Sequence, residues 1–511
     1  MVWTKQFYHH DVATWLRGDP AMPPPPPGRG DVRNGAWRHM RHADVISMPD
    51  AWEYPWYAGW DLAFHCLPLA LMDPRFAKDQ LLLLSDGYQG PDGQVPAYEW
   101  NFSDTNPPVL AMATLALYRL EQERHGTADL AFLRQAFHKL LLQFTWWVNR
   151  KDAQGNHLYE GGFLGLDNIG VFDRSRELPT GGHIEQADGS AWMAMFALDM
   201  LALSLALGEA DATYADLASR FLEHFARIAH AVSEVGEDGI SLWDEGEGFF
   251  HDVLTLPDGR HVPLRVRSMV GLVPLFATLV VPADTWTRQP ELAARVRGLR
   301  AARPELAPWL PDPDQPGAAL VSLVPTERLR RILAVVLDED EFLSPFGVRS
   351  LSRRHAEAPY TLAVPGGTHT VAYEPAESTT GMFGGNSNWR GPVWFPMNHL
   401  LIRALQAIHA HLGPSWRVPC PTRTGQPLDL AGVAAELCAR LTRLFLRNGA
   451  GDRPCFGSQR AARQRLGWQD DLLFHEYYHG DTGEGLGASH QTGWTGLVAN
   501  MLVDRHRFSD C

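Results

Sequence analysis

Basic residues are in deficit in this chain: 45 lysines and arginines stand against 59 aspartates and glutamates, a formal net charge of -14. Nucleic acids and anionic membranes are held by basic faces, so the balance argues against both and suits a neutral or cationic partner. Cysteine is scarce as well. The five, Cys66, Cys420, Cys438, Cys455 and Cys511, lie far apart with no C-x-x-C pair. That spacing indicates neither a zinc site nor a disulfide framework, so no metal and no cofactor are expected, and it suits a reducing compartment. The first ten residues contain no basic stretch leading into an apolar run of the secretory type. The mostly apolar stretch from Met269 to Val281 is short for a bilayer span and contains Pro274. A cytoplasmic protein is expected.

What the chain does have is ordinary bulk and many flat rings. With 511 residues, 45% hydrophobic and 20% charged, it can bury a large core. Its 18 tryptophans, with 12 tyrosines and 23 phenylalanines, offer faces on which the apolar C–H surface of a sugar stacks, although large helical cores also use tryptophan. The first 47 residues include the run Pro23 to Pro27, which is extended polyproline, and they read as an N-terminal arm or linker. Residues 48–511 read as one body. From there segments of helical period recur: 57–72, 106–124, 128–150, 188–207, 211–233, 265–280, 289–302, 396–412, 428–447 and 490–504. The segment from Ala191 to Leu207 is apolar nearly all round, as in a helix buried on several sides, whereas Tyr214 to Val232 carries a one-sided stripe.

Inner and outer helices alternating in this way predict an all-α fold, an (α/α)6 barrel or six-hairpin toroid, with an α-solenoid as the local look-alike. No repeated motif supports the solenoid. Small β insertions are expected between helices: a hairpin from Asp238 to Leu264 turning at Asp258-Gly259, and Gly/Pro-rich loops over 339–385 that crown one face.

Five segments carry the chemistry. Trp56-Tyr57-Ala-Gly-Trp60-Asp61 puts rings and a carboxylate before a buried helix, where Asp61 either caps the helix or grips sugar hydroxyls. Glu99-Trp100 through Asn106-Pro-Pro does the same before the next helix, and capping again competes for Asn106. Gly161-Gly-Phe-Leu-Gly165-Leu-Asp167-Asn168, continuing to Gln186-Ala-Asp188, surrounds an aspartate with glycines. Asn386-Ser-Asn388-Trp389-Arg390-Gly-Pro-Val-Trp394 is polar and aromatic together. Last, Glu476-Tyr-Tyr precedes a glycine-rich turn and Thr492-Gly-Trp494. Glycines let backbone pass close to a ligand, and Tyr477, Tyr478 and Trp494 are expected as walls around Glu476.

In this order the five segments resemble glycoside hydrolase family 63 and its mannosylglycerate-hydrolase-like branch, over about Trp52 to Val503. Asn388-Trp-Arg-Gly-Pro-Val-Trp and Glu476-Tyr-Tyr with Thr492-Gly-Trp are its most specific parts. The resemblance implies an (α/α)6 barrel that hydrolyses α-glycosidic bonds with inversion, of α-glucosidase or α-mannosidase type, on a small glycoside or oligosaccharide. It implies Asp167 as general acid and Glu476 as general base. It implies Tyr57, Trp60, Asp61, Asn106, Asn388, Trp389 and Arg390 as substrate contacts, and Glu99, Gln186 and Asp188 on shorter matches. Longer relatives carry a β-rich domain before the barrel, so a barrel-only form or a piece of a longer protein is expected.

Inversion needs a protonated carboxyl near the leaving oxygen and a carboxylate on the opposite face, with room for a water between them. A protonated Asp167 near neutral pH requires burial or a carboxylate neighbour such as Asp61. Two other readings stay open. A sugar epimerase would work through paired histidines, for which His65, His183, His251, His399, His475 and His479 are available. A noncatalytic sugar-binding barrel would keep the scaffold without turnover. No exposed heptad or isolated apolar strand demands a second copy, and the oligomeric state stays open.

Overall fold

Aspartates open several of the helices. Each carboxylate accepts a backbone N–H of the first turn, Asp11 from Thr14, Asp73 from Phe76, Asp129 from Phe132 and Asp429 from Gly432, satisfying a donor that has no partner inside the helix. The computed structural model describes residues 1–150, 157–159, 162–233, 240–365 and 367–509, with side chains to 503. The helices are α1 (Val12–Arg17), α2 (Gly59–Ala70), α3 (Pro74–Leu84), α4 (Leu110–His125), α5 (Leu130–Val148), α6 (Ala187–Gly208) and α7 (Tyr214–Ser233). They continue with α8 (Thr285–Arg288), α9 (Pro290–Ala302), α10 (Thr326–Val336), α11 (Phe395–Leu412), α12 (Leu430–Arg443), α13 (Arg460–Leu466) and α14 (Val498–Ser509). Of these, α1, α3, α8, α10 and α13 fall outside the segments expected from periodicity.

Six segments pack in sequence and close on themselves: α2 on α4, α4 on α6, α6 on the 3-10 segment Met269–Phe276, that segment on α11, α11 on the 3-10 segment Gly493–Leu497, and this one back on α2. Every residue of α2 is buried, and α6 is buried on all sides, as their unbroken apolar sequence requires. By length and composition α6 could cross a membrane, and it is a longer apolar element than Met269–Val281, but it lies enclosed in this core. Outside it, α3, α5, α7 and α12 cover α2, α4, α6 and α11. α7 buries only the stripe running through Ala218, Phe221, Phe225 and Val232.

Two members of the ring are 3-10 helix, where the expectation over 265–280 was regular helix. Pro274 removes a backbone donor, and Gly271 is jammed against its neighbours: a Cβ there would lie 2.3 Å from the Phe249 ring and from the Phe250 carbonyl oxygen. At the closing contact a Cβ on Gly493 would lie 2.4 Å from the His65 ring. Glycine at 493 is what allows the closing segment to approach α2 this closely.

The β structure is confined to short ribbons. Strands β1 (Lys5–Asp11) and β2 (Arg41–Ser47) pair antiparallel, Lys5 opposite Ser47. β3 (His183–Glu185) joins a three-stranded sheet with β6 (Asp252–Thr255) and β7 (His261–Leu264), while β4 (Trp243–Asp244) pairs with β5 (Phe249–Phe250). The one hairpin expected from Asp238 is thus two, the second turning at Asp258-Gly259 with Gly259 at φ 81°; Asp238 and Gly239 lie outside the described residues, as do Gly161 and Cys511. β8 (Thr278–Val281) pairs with β9 (Ala319–Ser322). Within 339–385, expected as loops, residues 360–364 and 367–371 form a further antiparallel pair.

The first 47 residues, expected as an arm, are packed on the body. Tyr8, Val12, Leu16, Trp37, Met40 and Ile46 belong to the main core, and His42 stacks on Tyr88 at 3.5 Å between ring centroids. Only the proline run conforms to the expectation, standing largely exposed. The core residues here are spaced singly among polar ones, so neither helical nor strand period revealed them.

Phe137, fully buried, meets Tyr214 and Phe221 edge-on and joins α5 to α7. Phe137→Ala is expected to cost about 3–5 kcal/mol, read as a fall in the denaturant midpoint, whereas Leu142→Ala on the exposed face of α5 should stay within about 0.5 kcal/mol of wild type.

Candidate active site

The segments that enter α2, α4 and α11 at their N-terminal ends, the loop before α6 and the stretch around Glu476 and Trp494 meet over the ring. They enclose a cavity of about 400 Å³. Trp60, Asp61, Asn106, Asp167, Trp389 and Glu476 line it, with Tyr54, Trp56, Tyr98, Trp100, Ser387, Trp394 and Trp494 beside them. Rings and carboxyl groups from five stretches of chain therefore face one space, of a size that takes a small ligand.

Asp61, Asp167 and Glu476 are the carboxyl groups of this cavity. Burial pushes Asp61 up to about 8, and the Asp167 charge adds to it. Burial also pushes Asp167 up to about 6; Ser387, whose hydroxyl donates to Asp167 Oδ2 at 2.5 Å, works in the opposite direction. Glu476 is driven well above the usual carboxylate range, first by burial and then by Asp167 and Asp61. Two donors favour its charged form: the Ala488 N–H at 3.1 Å and the Tyr54 hydroxyl at 3.3 Å, both to Oε2. In an environment poor in water such groups titrate as a set, and the set holds protons near neutral pH.

Glycine makes room at two points. Gly165, at φ 67°, carries the Asp167 loop over the Trp60 indole, and a Cβ there would lie 2.7 Å from that ring. Gly487, at φ 66°, lies over Glu476, where a Cβ would sit 2.6 Å from Oε2. No other residue avoids both the strained backbone and the clash at these positions. Gly480, Gly483 and Gly485, also expected beside a ligand, approach protein instead: Gly391, Phe346 and His475.

The tryptophans form a connected floor. Trp389 and Trp394 stack at 4.0 Å and 4°, Trp394 meets Trp494 edge-on at 5.5 Å, and Trp494 meets Trp60 edge-on at 5.6 Å. The indole N–H groups bind backbone: Trp494 Nε1 donates to the Glu476 carbonyl at 3.0 Å and Trp394 Nε1 to that of Asn388 at 3.0 Å. Tyr477 stacks behind Trp394, and its hydroxyl donates to Glu377. Of the expected walls, Trp494 alone borders the cavity; Tyr477 and Tyr478 are packed behind it.

The substrate contacts expected from the sequence divide in two. Trp60, Asp61, Asn106 and Trp389 face the cavity. Neither Asp61 nor Asn106 is a helix cap: Ala58 and Val109 hold those positions. The Asn106 amide donates to the Ala97 carbonyl at 3.0 Å, and its own Oδ1 is buried without a partner, an acceptor left for a ligand.

The other six do not border the cavity, and all of them but Glu99 have side-chain polar atoms bonded to protein. Tyr57 donates to the Pro96 carbonyl at 3.0 Å. Glu99 lies against the Tyr8 hydroxyl, away from the cavity. Gln186 grips the backbone N–H and C=O of Gly162, both at 2.9 Å. Asp188 is fully buried and paired bidentately with Arg174, which in turn donates to the Phe163 carbonyl. The Asn388 amide donates to the carbonyls of Glu374 and Ala376, and its Oδ1 accepts from Asn168. Arg390 donates to the carbonyls of Asn168 at 2.7 Å and Gly170 at 3.0 Å. Gln186, Asp188 through Arg174, Asn388 and Arg390 thus all hold the loop that carries Asp167.

Tyr54 and Ser387, which touch Glu476 and Asp167, escaped the sequence reading. Ser387 lay inside a quoted motif, and Tyr54 just ahead of one; only geometry singles out a hydroxyl aimed at a carboxylate. Phe163 and Phe383, whose ring centroids lie 4.7 Å apart, complete the rim. None of the six histidines available to an epimerase borders the cavity. Burial lowers His65 to about 3 and His251 and His475 to about 4, so these rings are neutral. Among the described residues no group of three or more His, Cys, Asp or Glu is placed to hold a metal ion.

Arg390→Lys keeps the charge beside Glu374 but loses the fork that spans two carbonyls. Loss of about 1.5–3 kcal/mol of stability is expected, with hydrogen exchange accelerating over 166–171 more than elsewhere.

Comparison with known proteins bears on the same residues. The family profile "Mannosylglycerate hydrolase MGH1-like glycoside hydrolase domain" matches residues 54–305 and 318–495. The uncharacterized protein YMR196W of Saccharomyces cerevisiae is 46% identical over 530 residues, 99% of this chain and 48% of that protein. A probable mannosyl-oligosaccharide glucosidase of Schizosaccharomyces pombe is 22% identical over 532 residues, 92% of this chain and 52% of that protein. The chain spans about half the length of these relatives. The GH63 mannosylglycerate hydrolase from Thermus thermophilus, solved with glucose, shares the fold, with a TM-score of 0.51 at 19% identity over 90% of this chain and 95% of that one. With the cavity and its carboxyl groups inside the matched residues, the chain belongs to the family of mannosylglycerate hydrolase MGH1-like glycoside hydrolase domains.

Proposed function

We propose that this chain hydrolyses an α-glycosidic bond with inversion, Asp167 serving as general acid and Glu476 as general base. The observation that carries the reading is the meeting of Asp61, Asp167 and Glu476 with the tryptophan floor in one cavity of about 400 Å³. In this reading the Asp167 proton passes to the glycosidic oxygen as the C–O bond breaks, while Glu476 takes a proton from the water that attacks the anomeric carbon from the other face. Asp61 and the open Asn106 Oδ1 accept hydroxyl protons of the sugar, and Trp60 and Trp389 supply the stacking faces. The self-closing succession of packed segments, inner helices covered by outer ones, supports an (α/α)6 toroid as the scaffold.

Two names among the relatives guide the choice of substrate: mannosylglycerate for a solved bacterial structure, and mannosyl-oligosaccharide for a fungal protein similar in sequence. A small α-glucoside or α-mannoside is the proposed class. A noncatalytic barrel would have no use for two buried carboxyl groups each met by a directed hydroxyl.

The productive state holds one proton on Asp167 and none on Glu476. Since Asp167 is raised to about 6, activity should fall as pH rises and that proton is lost. Since Glu476 is raised too, activity should also fall as the solution is acidified, giving a bell-shaped profile.

Anomer-resolved NMR of the purified chain with a panel of α-glucosides and α-mannosides is expected to show the β-anomer first. The α-anomer first, or no free sugar from any member, would overturn the proposal. Asp167→Asn and Glu476→Gln should each lower kcat by about 10²–10⁴-fold in folded protein. The two hydroxyls give a separate check. Ser387→Ala removes a donor that favours ionised Asp167, so the alkaline limb should move to higher pH. Tyr54→Phe removes a donor that favours ionised Glu476, so the acid limb should move up instead.

A further inference from the structure

The tryptophans around the cavity fall into two sets by exposure. Trp60, Trp389, Trp394 and Trp494, which make the floor, are buried, whereas Trp56 is half-buried and Trp100 is 47% exposed. Both sets border the same cavity. The outer rings stand in a row that begins at Glu476. Tyr54, whose hydroxyl donates to Glu476 Oε2, meets Trp56 edge-on at 5.5 Å, and Trp56 meets Trp100 edge-on at 5.6 Å. Exposure rises along the row, so it leads from the carboxyl groups outward to the mouth.

Trp100 is fixed at that mouth before any ligand arrives. The Arg33 guanidinium lies 3.9 Å from its ring centroid and 5.6 Å from that of Trp15. Trp15 in turn carries the Arg29 guanidinium at 4.3 Å, and Arg29 donates to the Trp15 carbonyl at 3.0 Å. Cation–π contacts of this kind favour one placement of the ring, and ordering a side chain in advance spares a ligand that entropy cost. Anchoring the N-terminal segment does not account for the exposure of Trp100. Trp37 anchors that segment to the same loop through Ser103 and is 6% exposed.

The loop that bears Trp100 also flanks Asp167. The Leu164 N–H donates to the Thr105 carbonyl at 2.9 Å, and the Tyr98 and Phe163 rings lie 5.8 Å apart. In the hydrolase reading the leaving group departs on the side of the general acid. A sugar seated on the floor is therefore continued outward past Trp56 and Trp100. Flat rings match the C–H face of a second sugar ring, and an acyclic leaving group such as glycerol or glycerate has no such face.

We infer that Trp56 and Trp100 form a subsite for the ring of a sugar leaving group, so that the substrate is an α-linked disaccharide or the end of a longer oligosaccharide. Arg33 is the positioning residue of this subsite. The direction of the substrate rests on the hydrolase reading; the subsite itself rests on the placement of the rings.

Titration calorimetry of the full chain carrying Glu476→Gln tests binding apart from turnover. The probes are glucose, mannose, their α-linked disaccharides and their α-glycosides of glycerol. At least one disaccharide is expected to bind about tenfold or more tighter than its monosaccharide and its glycerol glycoside. Adding Trp100→Ala should lower that disaccharide's affinity about fivefold or more and the monosaccharide's less than about twofold, and Trp100→Phe should restore most of the loss. Equal affinity for disaccharide and monosaccharide, a glycerol glycoside bound as tightly as the disaccharide, an equal loss for both sugars in Trp100→Ala, or binding of no probe each overturns the inference. The two readings fail separately. Disaccharide binding that depends on Trp100, with no free sugar released by the wild-type chain, sinks hydrolysis and upholds the subsite. Turnover of glycerol glycosides without preference for disaccharides does the reverse.

Discussion

Three carboxyl groups share one cavity, and much of the surrounding structure follows from that crowding. Asp61, Asp167 and Glu476 are each raised by burial, and each also feels a charge from another of the three or from Asp104 nearby. Among the described residues no arginine or lysine enters the cavity to neutralise them. Crowding of buried carboxyl groups is costly to a fold, and it is also what keeps a proton on a carboxylic acid near neutral pH. The opposing influences are directed hydroxyl and amide donors, Ser387 for Asp167 and Tyr54 with Ala488 for Glu476, together with the Arg174 charge acting on Asp167 from outside the cavity. Donors of that kind adjust which carboxyl holds the proton without cancelling the charge that catalysis would use.

Crowded groups must also be held in place, and the means differ between Asp167 and Glu476. Asp167 lies in a loop with no regular structure, so its fixation comes from outside: Arg390 and Asn388 reach in from the approach to α11, and Arg174, anchored on Asp188, holds the Phe163 carbonyl. The nearby guanidinium groups lie one layer behind the cavity, on the carbonyls of Asn168, Gly170 and Phe163. Glu476 instead exchanges backbone and side-chain bonds with Ala488 and is tied by the Trp494 indole. That indole belongs to the 3-10 segment that closes the ring, so Glu476 is fixed by the same contact that completes the scaffold.

The sequence made the cavity carboxyl groups Asp167 and Glu476, the aromatic floor and the run of inner helices legible, because each leaves a local mark. A ring beside a carboxylate before an apolar helix is such a mark, and so is a helix apolar all round, as α6 is. The division of labour within the motifs left none. Asn388-Trp389-Arg390 is one motif, yet Trp389 faces the cavity while its neighbours face away and hold the Asp167 loop from behind. Adjacent residues on irregular backbone point in different directions, and no periodicity tells which. Partners far apart in sequence, such as Ser387 with Asp167 or Tyr54 with Glu476, exist only once the ring has closed.

The same limit explains why the first 47 residues read as a linker. Asn34, at φ 61°, donates to the Glu99 carbonyl at 2.6 Å and accepts from the Phe102 N–H at 2.8 Å; Trp37 Nε1 donates to Ser103 at 2.9 Å; the Arg33 guanidinium lies 3.9 Å from the Trp100 ring centroid. All of these contacts fall on the loop 96–106, which brings Tyr98, Trp100 and Asn106 to the cavity. A loop of that length loses considerable conformational entropy on being fixed, and packing from outside must offset the loss. The N-terminal segment supplies that packing through single residues in a largely polar, proline-interrupted stretch. It therefore supports the cavity wall even though it contributes no atom to the cavity surface.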